Sequence, residues 1–355
     1  MKINRSFFSN LAFNLAEKNL GKTSTNPSVG CLVVKNNSVI SSASTSTNGR
    51  PHAEFNALNK NLNFRGSDLY VTLEPCTHYG ITPPCVKIIK EKKIKNVYYC
   101  YDDPDLRTNK KAKKELKKKN INLKKIPTIY KDFYKSYFIN KKEQLPLIDA
   151  KIAISKDNFT INKYSKWITN LRSRNVAHLI RSRYDCIIST SESINKDNSL
   201  LNCRINGLDN FKPHILIIDR YLKLKKNLKL FGLSKKRKTY VVTMSKNKKK
   251  IHFLKNKKLK IISINDLKDN HDFKILTKTF FNLGLRRILV ESGLTFLKEL
   301  LKQKLINNLF IFQSNEKLNK NGFKKFKINS PLNFKFREQI KVNLNGDKLF
   351  KIKVK

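Results

Sequence analysis

The chain has 355 residues, which is long for one average domain and indicates two. Hydrophobic residues make up 39% of it, enough for a buried core in each domain, so the composition excludes wholesale disorder. The formal net charge of +49 allows nucleic-acid binding. Because lysine and asparagine are spread along the whole chain, we favour a biased composition whose excess charge attracts phosphorylated substrates.

Apolar runs and cysteines bear on the location of the protein. No run of about 18 apolar residues is present, so the sequence predicts no membrane span. The beginning of the chain lacks the continuous apolar stretch of a secretory signal, so we expect a cytoplasmic location. The six cysteines are scattered, which favours buried thiols and metal ligands over disulfides.

Turn signals alternate with short apolar runs in the first part of the chain. Apolar residues recur three to four apart from Phe8 to Leu15, which predicts an amphipathic helix. The βαβα order that follows predicts a sheet covered by helices. The predicted elements are strands Val29–Val34 and Val39–Ala43 around a hairpin turn at Asn36–Asn37, helix His52–Leu58, strand Leu69–Leu73, helix Cys85–Lys92, strand Asn96–Tyr101, helix Lys110–Lys119 and strand Ile121–Ile126.

A polar stretch from Lys141 to Pro146 is a predicted linker, which divides the chain into domains 1–145 and 146–355. The second part alternates strands and helices again, so it predicts another α/β domain. Its predicted elements are strand Leu147–Ile154, helix Leu171–Arg183, strands Cys186–Ser189, His214–Asp219, Thr239–Thr243 and Lys260–Ile264, helix Asp272–Leu283, strand Arg287–Glu291, helix Thr295–Leu301, and strands Leu309–Phe312 and Lys341–Val354.

Four residues of the first domain form a pattern typical of zinc-dependent hydrolytic deaminases. Glu54 follows His52 after one residue, and Cys76 follows a proline farther on, ahead of Cys85. One imidazole and two thiolates would fill three positions of a tetrahedral Zn²⁺ and leave the fourth to water. Glu54, in the first turn of a helix, would carry protons between that water and the substrate. Taken singly, each residue could be a helix cap, a buried thiol or an ordinary first-turn acid.

The spacing of the two cysteines makes the pattern more specific. Eight residues, Thr77–Pro84, separate them, whereas two are usual in zinc deaminases. With this insert the sequence resembles the bifunctional deaminase/reductase family of riboflavin biosynthesis, nearly from end to end. The resemblance implies a cytidine-deaminase-like α/β/α fold for the first domain, and a phosphoribosylated 2,5-diaminopyrimidinone substrate whose pocket Asn26 and His78 line. The matching segments are Lys22–Gly30, Pro51–Glu54 and Val71–Cys85.

From its residues alone, the second domain is an α/β domain without the glycine-rich fingerprint of a Rossmann fold. The resemblance implies a dihydrofolate-reductase-like α/β fold that uses NADPH to reduce the ribosyl group to a ribityl chain. Without it, Trp167 would equally fit the core, and Arg181 and Arg204 the surface. The positions implied to bind substrate are Lys151, Ser165, Arg181, Leu201, Arg204 and Glu291. Those implied to bind NADPH are Ala153, Trp167, Ser193, Asp197, Gly293, Leu294, Thr295 and Phe296.

The sequence departs from the family pattern at several positions. Asn158 stands where glycine is usual, Arg220 where a small polar residue is common, and Ser292 precedes Gly293. A glycine-containing stretch that the family has after Pro104 is also missing. Arg220 would still serve the 2′-phosphate of NADPH. These departures leave open a protein with an active deaminase and an eroded reductase half.

Two further alternatives concern nucleic acid. A zinc deaminase acting on nucleic acid would share the metal site, but the long cysteine spacing and the second domain disfavour it. A basic nucleic-acid-binding protein with a structural zinc would need a fourth protein ligand, and only His78 is near. We therefore expect Zn²⁺ and NADPH as cofactors and a small phosphorylated pyrimidine as substrate. We expect no specific nucleic-acid partner, no membrane partner and a homo-oligomer.

Overall fold

The structure, a computed structural model, describes residues 5–326 and 338–355. The chain divides into two compact units, Met1–Leu145 and Pro146–Lys355. Of the linker predicted at Lys141–Pro146, the first two residues instead complete a helix, Lys135–Lys142, that has no counterpart among the predicted elements. Within the described ranges, no helix is both long and apolar enough to cross a membrane.

The first unit is built on a five-stranded mixed sheet. Its elements are α1 (Arg5–Glu17), β1 (Gly30–Lys35), β2 (Ser38–Ser44), a 3-10 turn (Thr47–Gly49), α2 (Ala53–Leu58), β3 (Asp68–Leu73), α3 (Cys85–Glu91), β4 (Asn96–Tyr101), α4 (Ala112–Lys117), β5 (Asn122–Lys125) and α5 (Lys135–Lys142). The strand order is β2-β1-β3-β4-β5, with β3, β4 and β5 parallel and β1 antiparallel to both neighbours. Every element predicted for this unit is present.

Two local features of this unit follow from its sequence. Asn36 and Asn37 have φ angles of 50° and 62°, the left-handed values that a two-residue type I′ hairpin turn requires. At Gly30, an added Cβ would lie 1.8 Å from the carbonyl oxygen of Ala12. Only glycine therefore allows α1 to cross β1 so closely at Ala12, which is completely buried.

The second unit contains a nine-stranded sheet and a separate two-stranded sheet. Its strands are β6 (Leu147–Ile154), β7 (Phe159–Asn162), β8 (Cys186–Thr190), β9 (His214–Ile218), β10 (Thr239–Thr243), β11 (Lys260–Ser263), β12 (Arg287–Val290), β13 (Asn308–Gln313), β14 (Gly322–Lys325), β15 (Glu338–Ile340) and β16 (Lys348–Lys353). Its helices are α6 (Leu171–Arg181), α7 (Ser191–Asp197), α8 (Lys248–Asn256), α9 (Asn270–Asn282) and α10 (Leu294–Lys302), with 3-10 turns at Lys229–Leu233 and Asn319–Asn321.

The large sheet has the order β11-β10-β9-β8-β12-β6-β13-β16-β15. The first seven of these strands are parallel, and β16 is antiparallel to both of its neighbours. Alternating residues bury both faces: Ile188 packs with the cluster that includes α9 and α10, whereas Ile187 packs with the cluster that includes α6 and α8. Because β8, β9 and β12 are parallel, their carboxyl ends meet at one edge of the sheet, where ligands of such sheets usually bind.

The structure differs from the predicted elements at the end of the chain. The single strand predicted at Lys341–Val354 is wrong, because β15 ends at Ile340 and β16 begins at Lys348. Between them the chain turns at Asn345 and Gly346, which have φ angles of 53° and 93°. This Asn-Gly pair is a turn signal that interrupts the apolar pattern. Elements α7, α8, β7 and β14 also lack predicted counterparts.

Candidate functional site

The structure brings His52, Cys76 and Cys85 of the first unit together. His52 Nδ1 lies 3.6 Å from Cys76 Sγ and 3.4 Å from Cys85 Sγ. A tetrahedral Zn²⁺, with bonds of about 2.3 Å to sulfur and about 2.1 Å to nitrogen, would separate such ligand atoms by about 3.6 Å. The three residues therefore fit a zinc ion. Among the described residues no other His, Cys, Asp or Glu joins this group, so a fourth ligand would come from solvent or substrate.

The ends of two helices hold these ligands. His52 is the N-cap of α2, and Cys85 is the first residue of α3. Cys76 lies in the loop after β3, where its Sγ accepts a hydrogen bond from the backbone N–H of Cys85 at 3.2 Å. Hydrogen bonds from the Cys85 thiol and from His52 lower the pKa of the Cys76 thiol to about 4, although burial opposes them. A thiolate, the form that binds zinc, is thereby stabilised.

Glu54 lies in the first turn of α2, two residues after His52, and is only 4% exposed. Burial, and then the charge of Cys76, raise the pKa of its carboxyl to about 7. The structure therefore places one buried acid directly beside the group of three metal-binding side chains.

Asn26 and His78 lie on loops near this group. Asn26 Nδ2 donates to the carbonyl oxygen of Gly49 at 2.8 Å, three residues before His52. His78 Nδ1 lies 3.0 Å from Thr108 Oγ1. Each side chain therefore uses one polar atom to fix a loop. In the described part of the chain, Asn26 Oδ1 and His78 Nε2 make no further hydrogen bond and are available to a ligand.

Arg50 was not among the predicted site residues, although it lies against the metal-binding group. Its Nη1 donates to Thr82 Oγ1 at 2.7 Å and lies 3.5 Å from His52 Nε2. Arg50 thus connects the insert between the cysteines to the imidazole. A cavity of about 340 Å³ borders His52 and Cys85 and is walled in part by residues 82–84. This volume suits a small ligand.

Glu291 of the second unit follows β12 and lies between two cations. Its carboxylate accepts hydrogen bonds from Arg181 Nε at 2.5 Å and Arg181 Nη2 at 2.9 Å, and Lys151 Nζ lies 3.1 Å away. Although burial opposes the shift, the charges of Arg181 and then Lys151 hold the pKa of Glu291 well below its usual range. Ala153 lies on β6, two residues after Lys151 and only partly buried. These contacts fix the Lys151 ammonium at the sheet edge.

A hydrogen-bond network connects Arg181 to the other predicted arginine. Arg181 Nη1 lies 3.3 Å from the carbonyl oxygen of Asn202 and 3.2 Å from His178 Nδ1. Arg204 Nη1 donates to Asn202 Oδ1 at 3.4 Å and is exposed to solvent. The side chain of Arg181 is only 14% exposed, so Arg181 is not a surface charge. Arg204 is the guanidinium that faces solvent here.

The predicted cofactor residues after β12 contact those after β8. The backbone N–H of Gly293 donates to Ser193 Oγ at 3.0 Å. Gly293 is the N-cap of α10 and provides no side-chain cap, so the first N–H groups of that helix remain available to an anion. Leu294 is buried in the core and offers only its backbone, whereas Thr295 is exposed and Phe296 is half-buried.

Trp167 is 49% exposed, so its interpretation as a core residue is wrong. The guanidinium of Arg174 lies 4.5 Å above its ring, and the ammonium of Lys166 lies 5.5 Å away. Ser165 Oγ accepts the backbone N–H of Trp167 at 3.1 Å. Lys166 Nζ also donates to the carbonyl oxygen of Asp197 at 2.8 Å. Lys166 thus bridges two of the predicted cofactor residues, Trp167 and Asp197.

The structure shows the surroundings of three departures from the family pattern, at Asn158, at Arg220 and in the loop after Pro104. Asn158 has a φ of 70°, so it adopts the left-handed conformation that suits glycine and that asparagine tolerates. Arg220 follows β9, and its Nη2 lies 3.3 Å from Asp266 Oδ1. The loop after Pro104 is fixed instead by Glu74, whose carboxylate accepts backbone N–H groups on both sides of it.

Comparisons with known proteins address both units. The family profile described as "Cytidine and deoxycytidylate deaminase zinc-binding region" matches residues 2–101, and the "RibD C-terminal domain" matches residues 146–314. The riboflavin biosynthesis protein RibD of Buchnera aphidicola subsp. Baizongia pistaciae is 33% identical over 320 residues, 86% of either chain. RibD of Aquifex aeolicus is 29% identical over 314 residues, 85% of this chain and 84% of its own.

Solved structures show the same fold over 98% of the chain. Acinetobacter baumannii RibD superposes with a TM-score of 0.82 at 24% identity and covers 98% of both chains. A diaminohydroxyphosphoribosylaminopyrimidine deaminase/5-amino-6-(5-phosphoribosylamino)uracil reductase of Thermotoga maritima superposes with a TM-score of 0.81 at 24% identity, again over 98% of both chains. At this identity the likeness establishes the fold.

Fold and sites together define a bifunctional enzyme, in which a zinc-binding, cytidine-deaminase-like domain is joined to a dihydrofolate-reductase-like domain. The chain belongs to the RibD family, the bifunctional deaminases and reductases of riboflavin biosynthesis. The family and the fold class predicted from the sequence are thereby confirmed.

Proposed function

We propose that the first unit hydrolytically deaminates 2,5-diamino-6-(5-phosphoribosylamino)pyrimidin-4(3H)-one at its ring 2-amino group. The observation that carries this proposal is the group of His52, Cys76 and Cys85 with the buried acid Glu54 beside it. The deaminase activity for which the Thermotoga maritima relative is named supports the same substrate. A bound Zn²⁺ would polarise the attacking water and lower its pKa.

The residues of the first unit would bind and orient the substrate and move its protons. Glu54 would take one proton from the attacking water and deliver it to the ring nitrogen, and would then carry the second proton, from the resulting hydroxyl, to the amine that leaves as ammonia. Because the Glu54 carboxyl is buried, bulk water does not compete with it for those protons. Asn26 Oδ1 and His78 Nε2 would hydrogen-bond the pyrimidine from the two loops that their other polar atoms fix.

We propose that the second unit reduces the deaminated product with NADPH to 5-amino-6-(5-phosphoribitylamino)uracil. NADPH would supply a hydride to the ribosyl carbon in its open imine form, and a proton would complete the reduction. Lys151, held by Glu291, would contact the reacting sugar at the sheet edge. Arg204 would bind the substrate phosphate, since Arg181 directs its donors to protein acceptors.

The cofactor would lie at the N-terminus of α10. The uncapped N–H groups after Gly293 suit the phosphates of a dinucleotide, and Ser193 holds the N–H of Gly293 itself. The exposed ring of Trp167 would contact the cofactor. Arg220 would favour the 2′-phosphate of NADPH over the hydroxyl of NADH. An intact ion-pair group at Glu291 supports an active reductase rather than an eroded one.

We further propose that the enzyme works in the cytoplasm. All six cysteines are unpaired thiols, which fits a reducing compartment. Two of them are proposed metal ligands, which a disulfide would remove. The homo-oligomer expected from the sequence stays a prediction, to be tested by the mass of the protein in solution.

The substitution Glu54→Gln tests the deaminase proposal. The variant should bind zinc as the wild type does, because no proposed ligand changes, while ammonia release falls by about 10²- to 10⁴-fold. NADPH oxidation with the already deaminated substrate serves as an internal control and should persist. Glu143→Gln, an exposed position after α5, should leave both activities unchanged. Undiminished ammonia release by Glu54→Gln would refute its role as proton carrier.

A further inference from the structure

The segment that carries two of the predicted substrate residues is an irregular loop, residues 199–204, after α7. Leu201 is buried with a φ of 46°, a left-handed conformation that a leucine adopts only when its surroundings impose it. Across the described residues, no backbone–backbone hydrogen bond is made by residues 199–204. Buried carbonyl groups need hydrogen-bond donors, so side chains must donate to the buried carbonyl groups of this loop.

Arg237, two residues before β10, provides those donors. It is only 5% exposed. Its Nη1 donates to the carbonyl oxygen of Leu201 at 2.8 Å and to that of Pro213 at 3.3 Å, and its Nη2 donates to the carbonyl oxygen of Leu200. Arg237 has no ion pair within the described residues, so carbonyl dipoles are its partners. A buried arginine without a carboxylate is costly, which argues against an incidental placement.

The other end of the loop contacts the Glu291 group. The carbonyl oxygen of Asn202 lies 2.9 Å from His178 Nδ1 and 3.3 Å from Arg181 Nη1. The side chain of Asn202 accepts from Arg204 at 3.4 Å. The loop is thus held between two buried guanidiniums, Arg237 at Leu200 and Leu201, and Arg181 at Asn202. Its shape depends on side chains that are far away in the sequence.

We propose that Arg237 is a positioning residue for the phosphorylated ribosyl substrate of the second unit. It does not touch the substrate, because it is buried beneath the loop. By fixing the carbonyls of Leu200 and Leu201, it sets the course of the loop backbone at Leu201 and the position from which Arg204 faces the substrate. This inference rests on the proposed reductase function. It goes beyond that function, since no residue of the segment before β10 belongs to the predicted site.

The position of the loop determines which kinetic constant should change. Leu201 and Arg204 are proposed to bind the substrate, whereas Lys151 lies at the reacting sugar and the cofactor lies at the N-terminus of α10. Displacing the loop should therefore weaken substrate binding and leave hydride transfer and NADPH binding nearly unchanged. A residue with a merely structural role would instead lower the amount of active enzyme, that is, the apparent kcat, at constant KM.

The test compares Arg237→Met and Arg237→Lys in the full chain, with the deaminated ribosyl substrate and NADPH. Methionine keeps the apolar stem but donates no hydrogen bond, so KM for the ribosyl substrate should rise about tenfold. The kcat and the KM for NADPH should change less than about threefold. Lysine keeps the charge and part of the donor capacity, so the KM of Arg237→Lys should lie between those of the wild type and Arg237→Met.

Arg286→Met is the matched control. Arg286 also donates to carbonyl oxygens, those of Phe281 and Leu285, but at the start of β12, at the opposite end from Glu291. The KM of the Arg286→Met variant for the ribosyl substrate should equal that of the wild type. An unchanged KM in Arg237→Met, a fall in kcat alone, or failure of both Arg237 variants to fold would overturn the proposal. A wild type that oxidises no NADPH would overturn the reductase function itself.

Discussion

Replacing Glu291 with glutamine should destabilise the second unit strongly. Its carboxylate accepts two hydrogen bonds from Arg181 and pairs with Lys151, and the side chains of these two cations are 14% and 18% exposed. Glutamine keeps one acceptor oxygen and turns an amide N–H group toward two buried cations. Removing one partner of a buried ion pair costs about 3–5 kcal/mol. We expect the free energy of unfolding to fall by that amount.

Urea unfolding followed by tryptophan emission measures this loss. The only tryptophan, Trp167, lies in the second unit, so its emission reports on that unit alone. Glu192→Gln is the control, because Glu192 is 82% exposed and 3.6 Å from Lys324 Nζ, and such pairs contribute below about 1 kcal/mol. A loss below about 1 kcal/mol for Glu291→Gln, or equal losses in both variants, would refute the reasoning.

Two further predictions concern Asp185 and Trp167. Burial raises the pKa of Asp185 to about 7, so the folded chain holds its proton more tightly than the unfolded chain, and the stability from this residue is lost as pH rises from about 4 to about 7. The difference in unfolding free energy between wild type and Asp185→Asn should therefore change across this range, by at most about 4 kcal/mol; a pH-independent difference would contradict the buried state of the acid. NADPH should quench the emission of Trp167, and Trp167→Phe should raise the KM for NADPH about two- to tenfold; quenching that is absent while the enzyme turns over would exclude the ring from the cofactor site.

The sequence predicts those elements well whose ends carry local signals. The strand Leu147–Ile154 has the predicted bounds, because a proline precedes a short apolar run. The helix predicted at Lys110–Lys119 begins instead at Ala112, where Glu74 accepts the backbone N–H groups of Lys110 and Ala112. That acceptor lies far upstream, so no local pattern announces where the helix starts.

The same distinction applies to the sites. The metal-binding residues lie in short motifs whose spacing is visible in the sequence, and the structure brings them together. His178 could have been found, since it lies three residues before Arg181 on the same helix face. Arg237 could not, because it contacts Leu201 across 36 positions and no motif surrounds it. Side chains that only support a loop leave no periodic signal.

One reaction tests the central claim most directly. The full chain, loaded with Zn²⁺ and NADPH, is given the diaminopyrimidine phosphate, and ammonia and NADPH are followed together. We predict that ammonia appears first and that one NADPH is then oxidised for each ammonia released. NADPH oxidation without ammonia, or ammonia release that never leads to NADPH oxidation, would contradict the assignment of the two sites to successive steps.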